Sequence, residues 1–327
     1  MEICHGLAAA PRGGPATHLA VGMFDGVHLG HQAVIEAAGH QARRDGGKAG
    51  VLTFAPHPSR LFRPDAPTLL IQPLDEKLRR LAALGLDFTV VQPFDRDFAA
   101  VPAPDFPGML KNALPELSGV YIGENFRFGR GRQGDVETLI EGFRPLGVDV
   151  VSAARLRQNG EPISSTRIRE SLRAGDLSSA NRLLGYPYTS TGEVIGGRRL
   201  GRTIGFPTLN LAWEPELRPA FGVYAVRFRR LPDRSPGDGQ ATLLTDGLRR
   251  GVANYGFRPT VEAESSEARP LLEIHSLDPA DDLGPGDTLE THWLSYLRAE
   301  QRFASLDDLK AQIAHDVAAA EQSFSRG

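Results

Sequence analysis

The stretch VGMFDGVHLGHQAVI, Val21–Ile35, sets two histidines three residues apart, directly after an apolar run and a tight turn. The apolar run reads as a strand ending near Phe24, Asp25-Gly26 supply the turn, and His28 opens a helix. At this spacing His28 and His31 share one face of the first helical turn. Unpaired backbone N–H groups and the positive end of the helix dipole lie beside them, so the place invites an anion, above all a phosphate. Gly30 carries no side chain between them, and a bulky ligand can approach the backbone closely. A zinc reading lacks a third ligand at a recognised spacing, with Asp25 across the turn.

Working outward, strand-like and helix-like stretches alternate from about residue 17 to 155: HLAVGMF, HQAVIEAAGHQARR, AGVLTF, LDEKLRRLAALG, DFTVVQPF, then GVYIGEN and GVDVVSAARL. Such alternation predicts an α/β domain, a parallel sheet with helical crossovers. STRIRESLRAG and LSSANRLLG read as helices stopped by Gly175 and Gly185. Beyond Gly185 the texture turns β-rich and turn-rich, which places a boundary near Pro187 and predicts domains over residues 1–186 and 187–327. A final helix follows Ser305, with Asp308 completing a capping box and Leu306, Leu309, Ile313 and Val317 at helical spacing.

The 327 residues favour two domains over one. With 41% hydrophobic residues, 24% charged and a net charge of −3, the composition is that of an ordinary globular protein. No basic stretch is both long and unbalanced, which argues against nucleic acid as a partner. No run approaches the ~20 apolar residues of a membrane span. The N-terminus MEICHGLAAAPRGG lacks the basic start and apolar core of a signal peptide. One cysteine, Cys4, suits a reducing cytoplasm and reads as an inert thiol near a frayed terminus.

Three further stretches carry chemistry. In EPISSTRIRESLRAG, Glu161–Gly175, the hydroxyls Ser164, Ser165 and Thr166 open a helix that then bears Arg167, Arg169 and Arg173. Hydroxyls and guanidinium groups so grouped suit the triphosphate of a nucleotide. Together with the HxGH of His28–His31, this resembles the nucleotidyltransferase superfamily, in which an α-phosphate is attacked in line and pyrophosphate leaves. TFAPHPSRLF, Thr53–Phe62, and IGENFRFGRGRQGD, Ile122–Asp135, narrow the resemblance to the bacterial bifunctional riboflavin kinase/FMN adenylyltransferase family, also called FAD synthetase. In that light Phe54, Phe62, Phe126 and Phe128 can stack or pack on an isoalloxazine, while Asn125 and Arg127 can engage the FMN phosphate. The resemblance implies His28, His31 and Arg169 as the catalytic groups and extends the nucleotide site to Gly22, Phe24, Gly30 and the three hydroxyls.

GGRRLGRTIGFPTLNL nearly reproduces a phosphate-binding Walker loop, but Gly205 and Pro207 would break the helix such a loop must open. The same residues resemble the riboflavin kinase signature through Gly192, Val194, Gly197, Gly201, Arg202, Gly205, Phe206, Pro207, Thr208 and Asn210. Period-two geometry sets Thr208 and Asn210 on one face, two hard oxygens for the Mg2+ of ATP, and the glycines Gly197 and Gly201 with Arg202 can wrap its phosphates. Glu273, on an otherwise apolar strand, reads first as a solvated strand-face carboxylate paired with a nearby arginine; the resemblance reverses that and assigns it the role of base. Arg298 is implied as a flavin or nucleotide contact. At Leu283-Gly284-Pro285 the chain departs from the family, which commonly shows an aromatic residue there.

The resemblance spans about Leu19 to Ala318. It implies a Rossmann-like nucleotidyltransferase domain with helices on both sheet faces, followed by an antiparallel β-barrel kinase domain with a terminal helix. Riboflavin and ATP would give FMN at the second; FMN and ATP would give FAD at the first. The expected cofactor is Mg2+ carried with ATP, flavins being substrate and product; self-association is left open. A nucleotidyltransferase for another phosphate ester would keep the first motifs and leave the second domain unexplained. A binding-only descendant would show eroded catalytic positions, and His28, His31, Thr208, Asn210 and Glu273 all stand.

Overall fold

The structure is a computed structural model, and it describes residues 1–197, 205–232, 247–257 and 270–325. Its contacts form two compact units that divide at Ser165 and Thr166, ahead of the change in composition at Pro187.

In the first unit the strands are β1 (Glu2–His5), β2 (Thr17–Val21), β3 (Lys48–Ala55), β4 (Phe88–Pro93), β5 (Leu117–Gly123) and β6 (Asp149–Ala153). The helices between them are α1 (Leu29–Asp45), α2 (Ser59–Phe62), α3 (Leu74–Ala82), α4 (Arg96–Ala99), α5 (Asp105–Ala113) and α6 (Val136–Phe143). A short hairpin of β7 (Arg157–Gln158) and β8 (Glu161–Pro162) follows. The six longer strands pair in parallel in the order β1-β4-β3-β2-β5-β6.

Alternate residues of each strand feed two cores, as period-two geometry requires. Leu19, Val21, Leu52 and Val120 pack with Leu110 of α5 and Leu139 and Phe143 of α6. Ala20, Val51 and Tyr121 pack with Ile35 and Ala38 of α1 and Leu81 of α3 on the other face. The doubly wound architecture implied by the resemblance is therefore present. One correction concerns the N-terminus: Glu2–His5 is no frayed end but an edge strand on β4, with Cys4 buried and its thiol pKa pushed up mainly by that burial. Four residues are too short to show a period, and only the pairing with Phe88–Val91 reveals them.

In the second unit α7 (Ser165–Arg173) and α8 (Leu177–Leu184) precede β9 (Tyr188–Ile195), β10 (Thr208–Ala212), β11 (Gly222–Arg230), β12 (Arg249–Phe257), β13 (Pro270–Ser276), β14 (Thr288–Arg298) and α9 (Leu306–Phe324). The glycine stops hold: Gly175 and Gly185 both adopt positive φ, at 76° and 80°. The strands close an antiparallel barrel in the order β10-β13-β12-β11-β14-β9, with β9 returning to β10. Its interior is aromatic, Trp293 meeting Tyr224, Trp213 and Tyr255 at ring separations of 4.7, 5.1 and 6.0 Å. Helix α8 is tied to the barrel through Asn181, which donates to the Trp293 carbonyl and accepts from the Tyr188 N–H.

Helix α9 starts as expected: Ser305 caps it by accepting the Asp308 N–H at 3.1 Å. Its buried stripe is shifted, however. Val317, Ala320 and Phe324 cover Val223, Ala225 and Val252, whereas Leu306 is 64% exposed. The helix engages the barrel along its C-terminal half, so an apolar residue in the first turn meets solvent.

Candidate active sites

The first site begins at the carboxyl end of β2. Because β2 lies between β3 and β5 and the chain leaves it through α1 toward β3, the sheet order reverses here. Such a switch point opens a crevice in an α/β sheet. The strand stops at Val21, three residues earlier than expected, and the backbone then turns sharply, with positive φ at Phe24 (50°), Gly26 (81°) and Val27 (33°). Gly22 is pressed against the Phe24 ring, where a Cβ would come within 3.0 Å. His28 is not the first helical residue but the cap of α1: its Nδ1 accepts the backbone N–H of His31 at 3.2 Å.

The two imidazoles stack, with centroids 3.6 Å apart and planes 14° from parallel, and Phe24 meets the His31 ring edge-on at 5.3 Å. His28 Nδ1 accepts that N–H, which leaves Nε2 as the ring nitrogen that can carry a donor proton. His31 is held well below its ordinary pKa, first by burial and then by the charges of His28 and Lys77. A neutral His31 at pH 7 acts through a directed N–H or lone pair rather than through a full charge. Its Nδ1 is buried without a hydrogen-bond partner among the described residues. An orphaned polar atom at a helix N-terminus is free for a ligand oxygen.

Around this turn, Ser165 Oγ donates to the Asp25 carbonyl at 2.9 Å, and the Asp25 carboxylate accepts the Ile71 N–H at 3.1 Å. The hydroxyls Ser164, Ser165 and Thr166 do open α7, and Arg169 follows one turn later.

The TFAPHPS stretch leaves β3 through a cis Ala55–Pro56 bond into a turn tied by His57 Nδ1, 2.8 Å from Ser59 Oγ. An aromatic chain runs from it. Phe62, 63% exposed, meets Phe94 at 6.1 Å; Phe94 and Phe54 contact Phe98; Phe98 leads to Phe106, and Phe106 to Phe128 and Phe126. The four expected flavin aromatics thus share one cluster. Phe54 and Phe128 are buried within the core, which leaves Phe62 and Phe126 more open. Asn125 and Arg127 are exposed beside them, with the Asn125 amide group against the Arg155 guanidinium.

The second site lies on the barrel's outer surface. Thr208, Asn210, Val194, Ile195, Gly196, Gly197 and the loop Leu283-Gly284-Pro285 line a cavity of about 170 Å³. Asn210 faces Glu273 directly across the β10–β13 ladder, and Glu273 faces Asn254 across β12–β13. Residues opposite one another share a face, so the three polar side chains form a row while Leu211, Leu272 and Ile274 fill the interior. Gly197 packs against the Asn210 side chain so closely that a Cβ there would displace the Asn210 amide. Gly201 and Arg202 lie outside the described residues. Arg298 forms a bidentate ion pair with Asp316 of α9, at 2.8 and 2.7 Å, so its guanidinium is engaged in anchoring that helix.

Residues 13–167 match the family model described as FAD synthetase, and residues 184–324 the one described as riboflavin kinase. The bifunctional riboflavin kinase/FMN adenylyltransferase of Escherichia coli (strain K12) is 39% identical over 320 residues, 98% of this chain and 96% of that protein. The chain belongs to this bifunctional family. The Haemophilus influenzae member is 36% identical, covering 99% of this chain and all of that one. A solved structure described as a macrolide-efflux protein from Streptococcus pneumoniae superposes with a TM-score of 0.83 at 28% identity, covering 98% of this chain and 99% of that one. Among the described residues no helix is long and apolar enough to cross a membrane.

Within this riboflavin kinase/FMN adenylyltransferase fold, the departure at Leu283-Gly284-Pro285 gains a place, lining the same cavity as Thr208 and Asn210. Several residues escaped sequence reasoning. Lys77 and Thr53 converge on the Met23 carbonyl beneath the HxGH turn, and Asn254 flanks Glu273. A lysine in a helix full of charges, LDEKLRR, carries no signal that it faces inward.

Proposed function

We propose that this chain makes both flavin cofactors: the barrel phosphorylates riboflavin with ATP to give FMN, and the α/β domain transfers an adenylyl group from ATP to FMN, giving FAD and pyrophosphate. In the first reaction the flavin's primary hydroxyl attacks the γ-phosphate. Glu273 accepts the hydroxyl proton as a bond forms to phosphorus and ADP leaves. Thr208 and Asn210 line the cavity with hard oxygens, and Gly197 leaves room beside Asn210. These two residues would hold Mg2+, whose bound charge neutralises the ATP phosphates.

In the second reaction an FMN phosphate oxygen bonds to the α-phosphorus of ATP while the bond from that phosphorus to the bridging β-phosphate oxygen breaks. The nucleophile is already competent, so the protein needs to place the partners and stabilise charge. His28 offers Nε2–H, His31 a neutral ring, and α1 its positive end. The family resemblance assigns Ser164, Ser165, Thr166 and Arg169 to the nucleotide phosphates as well. Phe62 and Phe126 supply aromatic surface for the isoalloxazine, with Asn125 and Arg127 for the FMN phosphate.

The observation that carries the adenylyl-transfer reading is the His28 cap stacked on His31 at the sheet's switch point. Because both reactions consume ATP, the reading puts the enzyme in the cytoplasm, and its partners are small molecules rather than nucleic acid. The test is a chromatographic assay with ATP and Mg2+, given riboflavin in one tube and FMN in another. FMN and FAD from the first and FAD from the second are expected. Unchanged FMN beside phosphorylated riboflavin would remove the adenylyl-transfer assignment, and unreactive flavins in both tubes would leave a binding protein.

A further inference from the structure

Lys77 is 7% exposed, near the start of α3, in a position where lysines are almost never fully buried without a purpose or partner. Its Nζ donates to the Met23 carbonyl at 3.2 Å and to Thr53 Oγ1 at 3.1 Å, and Thr53 Oγ1 itself donates to the same Met23 carbonyl at 3.1 Å. One backbone carbonyl therefore receives two donors, from α3 and from β3. Met23 is the last residue before the turn that carries Phe24, Asp25, Gly26 and Val27 to His28.

That turn stores strain. A phenylalanine and a β-branched valine both hold positive φ, conformations that cost about 1–3 kcal/mol each and persist only where surrounding contacts over-determine them. The contacts are identifiable. Asp25 is held through its carboxylate by the Ile71 N–H and through its carbonyl by Ser165, and the Val27 carbonyl accepts from Gln32 Nε2 at 2.8 Å. Those bonds secure the middle and the far end. Lys77 with Thr53 secures the near end, where the Phe24 ring stands nearly perpendicular to the His31 ring at 5.3 Å.

We infer that Lys77 is a positioning residue for adenylyl transfer, clamping Met23 so that the strained turn presents Phe24 and the His28–His31 pair in register. The inference rests on the adenylyl-transfer reading of this site. Burial pushes the Lys77 amine down to about 8, with the Asp25 carboxylate opposing that shift, and protonated or neutral the group remains a donor to the carbonyl. A long flexible side chain suits the task because it spans from α3 to a backbone atom just beyond the end of β2.

The test is Lys77→Met, which keeps the aliphatic volume and removes the donors, with Thr53→Val as a second, smaller perturbation of the same carbonyl. Expected for Lys77→Met is a fall in kcat for FAD formation on the order of 10²-fold, as for a small misplacement of a catalytic group. KM for ATP and FMN should change less than about 3-fold, and riboflavin phosphorylation should be untouched. Thr53→Val should lose less, and the double variant little more than Lys77→Met alone, since both act on one atom. In 13C-labelled protein the His31 ring signals should shift in Lys77→Met as Phe24 moves away from the ring. Wild-type FAD formation with an equally active Lys77→Met would overturn the inference. If the wild type itself forms no FAD, the adenylyl-transfer reading fails, and unmoved His31 signals would then overturn the clamp on structural grounds alone.

Discussion

His28 accepts the backbone N–H of His31 while its ring lies flat on the His31 ring, so one side chain both caps helix α1 and orients its neighbour. The two roles separate by substitution. Asparagine is a good helix cap, whereas alanine costs about 1 kcal/mol at such a position. His28→Asn should therefore retain wild-type thermal stability and His28→Ala should not, while both lose FAD formation on the order of 10²-fold, the scale of one preorganised donor. His31→Ala should lose at least as much. Melting curves and FAD assays on the three variants check this, with riboflavin phosphorylation as the unaffected control.

The buried His31 also predicts an acid limb of stability. Burial, then His28 and Lys77, hold its pKa well below the ordinary 6.5. Above pH 6.5 the ring is neutral in both folded and unfolded chains, so it contributes no pH dependence. Below 6.5 the unfolded chain takes up a proton that the folded chain refuses, and stability falls by up to about 1.4 kcal/mol per pH unit until the folded value is reached. Urea midpoints at pH 7 and pH 5 should separate more for wild type than for His31→Gln.

Gly197 leaves no space for a methyl group beside Asn210. Gly197→Ala must push the Asn210 amide aside and disturb the position proposed to hold Mg2+. Riboflavin phosphorylation should fall by about 10- to 100-fold. FMN adenylylation by the same protein should be unchanged.

Glu273→Gln keeps the size of the side chain opposite Asn210 and removes the proposed base. FMN formation should drop by roughly 10²- to 10⁴-fold, the range for general-base catalysis. FAD formation from added FMN should persist, and kinase activity within a few-fold of wild type would refute the role.

Arg298 and Asp316 form a bidentate, largely buried pair between β14 and α9. Removing the arginine strands a buried carboxylate, which costs about 3 kcal/mol. Arg298→Ala should melt well below wild type, and Arg298→Ala with Asp316→Ala should cost less than the two single changes summed. Thermal unfolding of the four proteins completes the cycle.

The motifs that point to the family were legible because each is contiguous in the chain. The HxGH spacing and the hydroxyl–arginine run each fall at the start of one helix, so their spacing alone brings those groups close together. The alternation of apolar runs likewise announced the parallel sheet, and Gly175 and Gly185 its helix stops. The interactions that crossed the fold were not legible. Cys4 is buried because β1 finds β4, about 85 residues away in the chain. Arg298 is drawn to Asp316 because α9 folds back on the barrel, and Leu306 stays outside because that helix docks by its other end. Lys77 meets Met23 and Thr53 only after α3 packs over the sheet, and no periodicity marks a buried lysine among charged neighbours. A sequence determines which groups one element can present; which distant groups they meet depends on how elements pack, and that is decided only when the whole chain has closed around its cores.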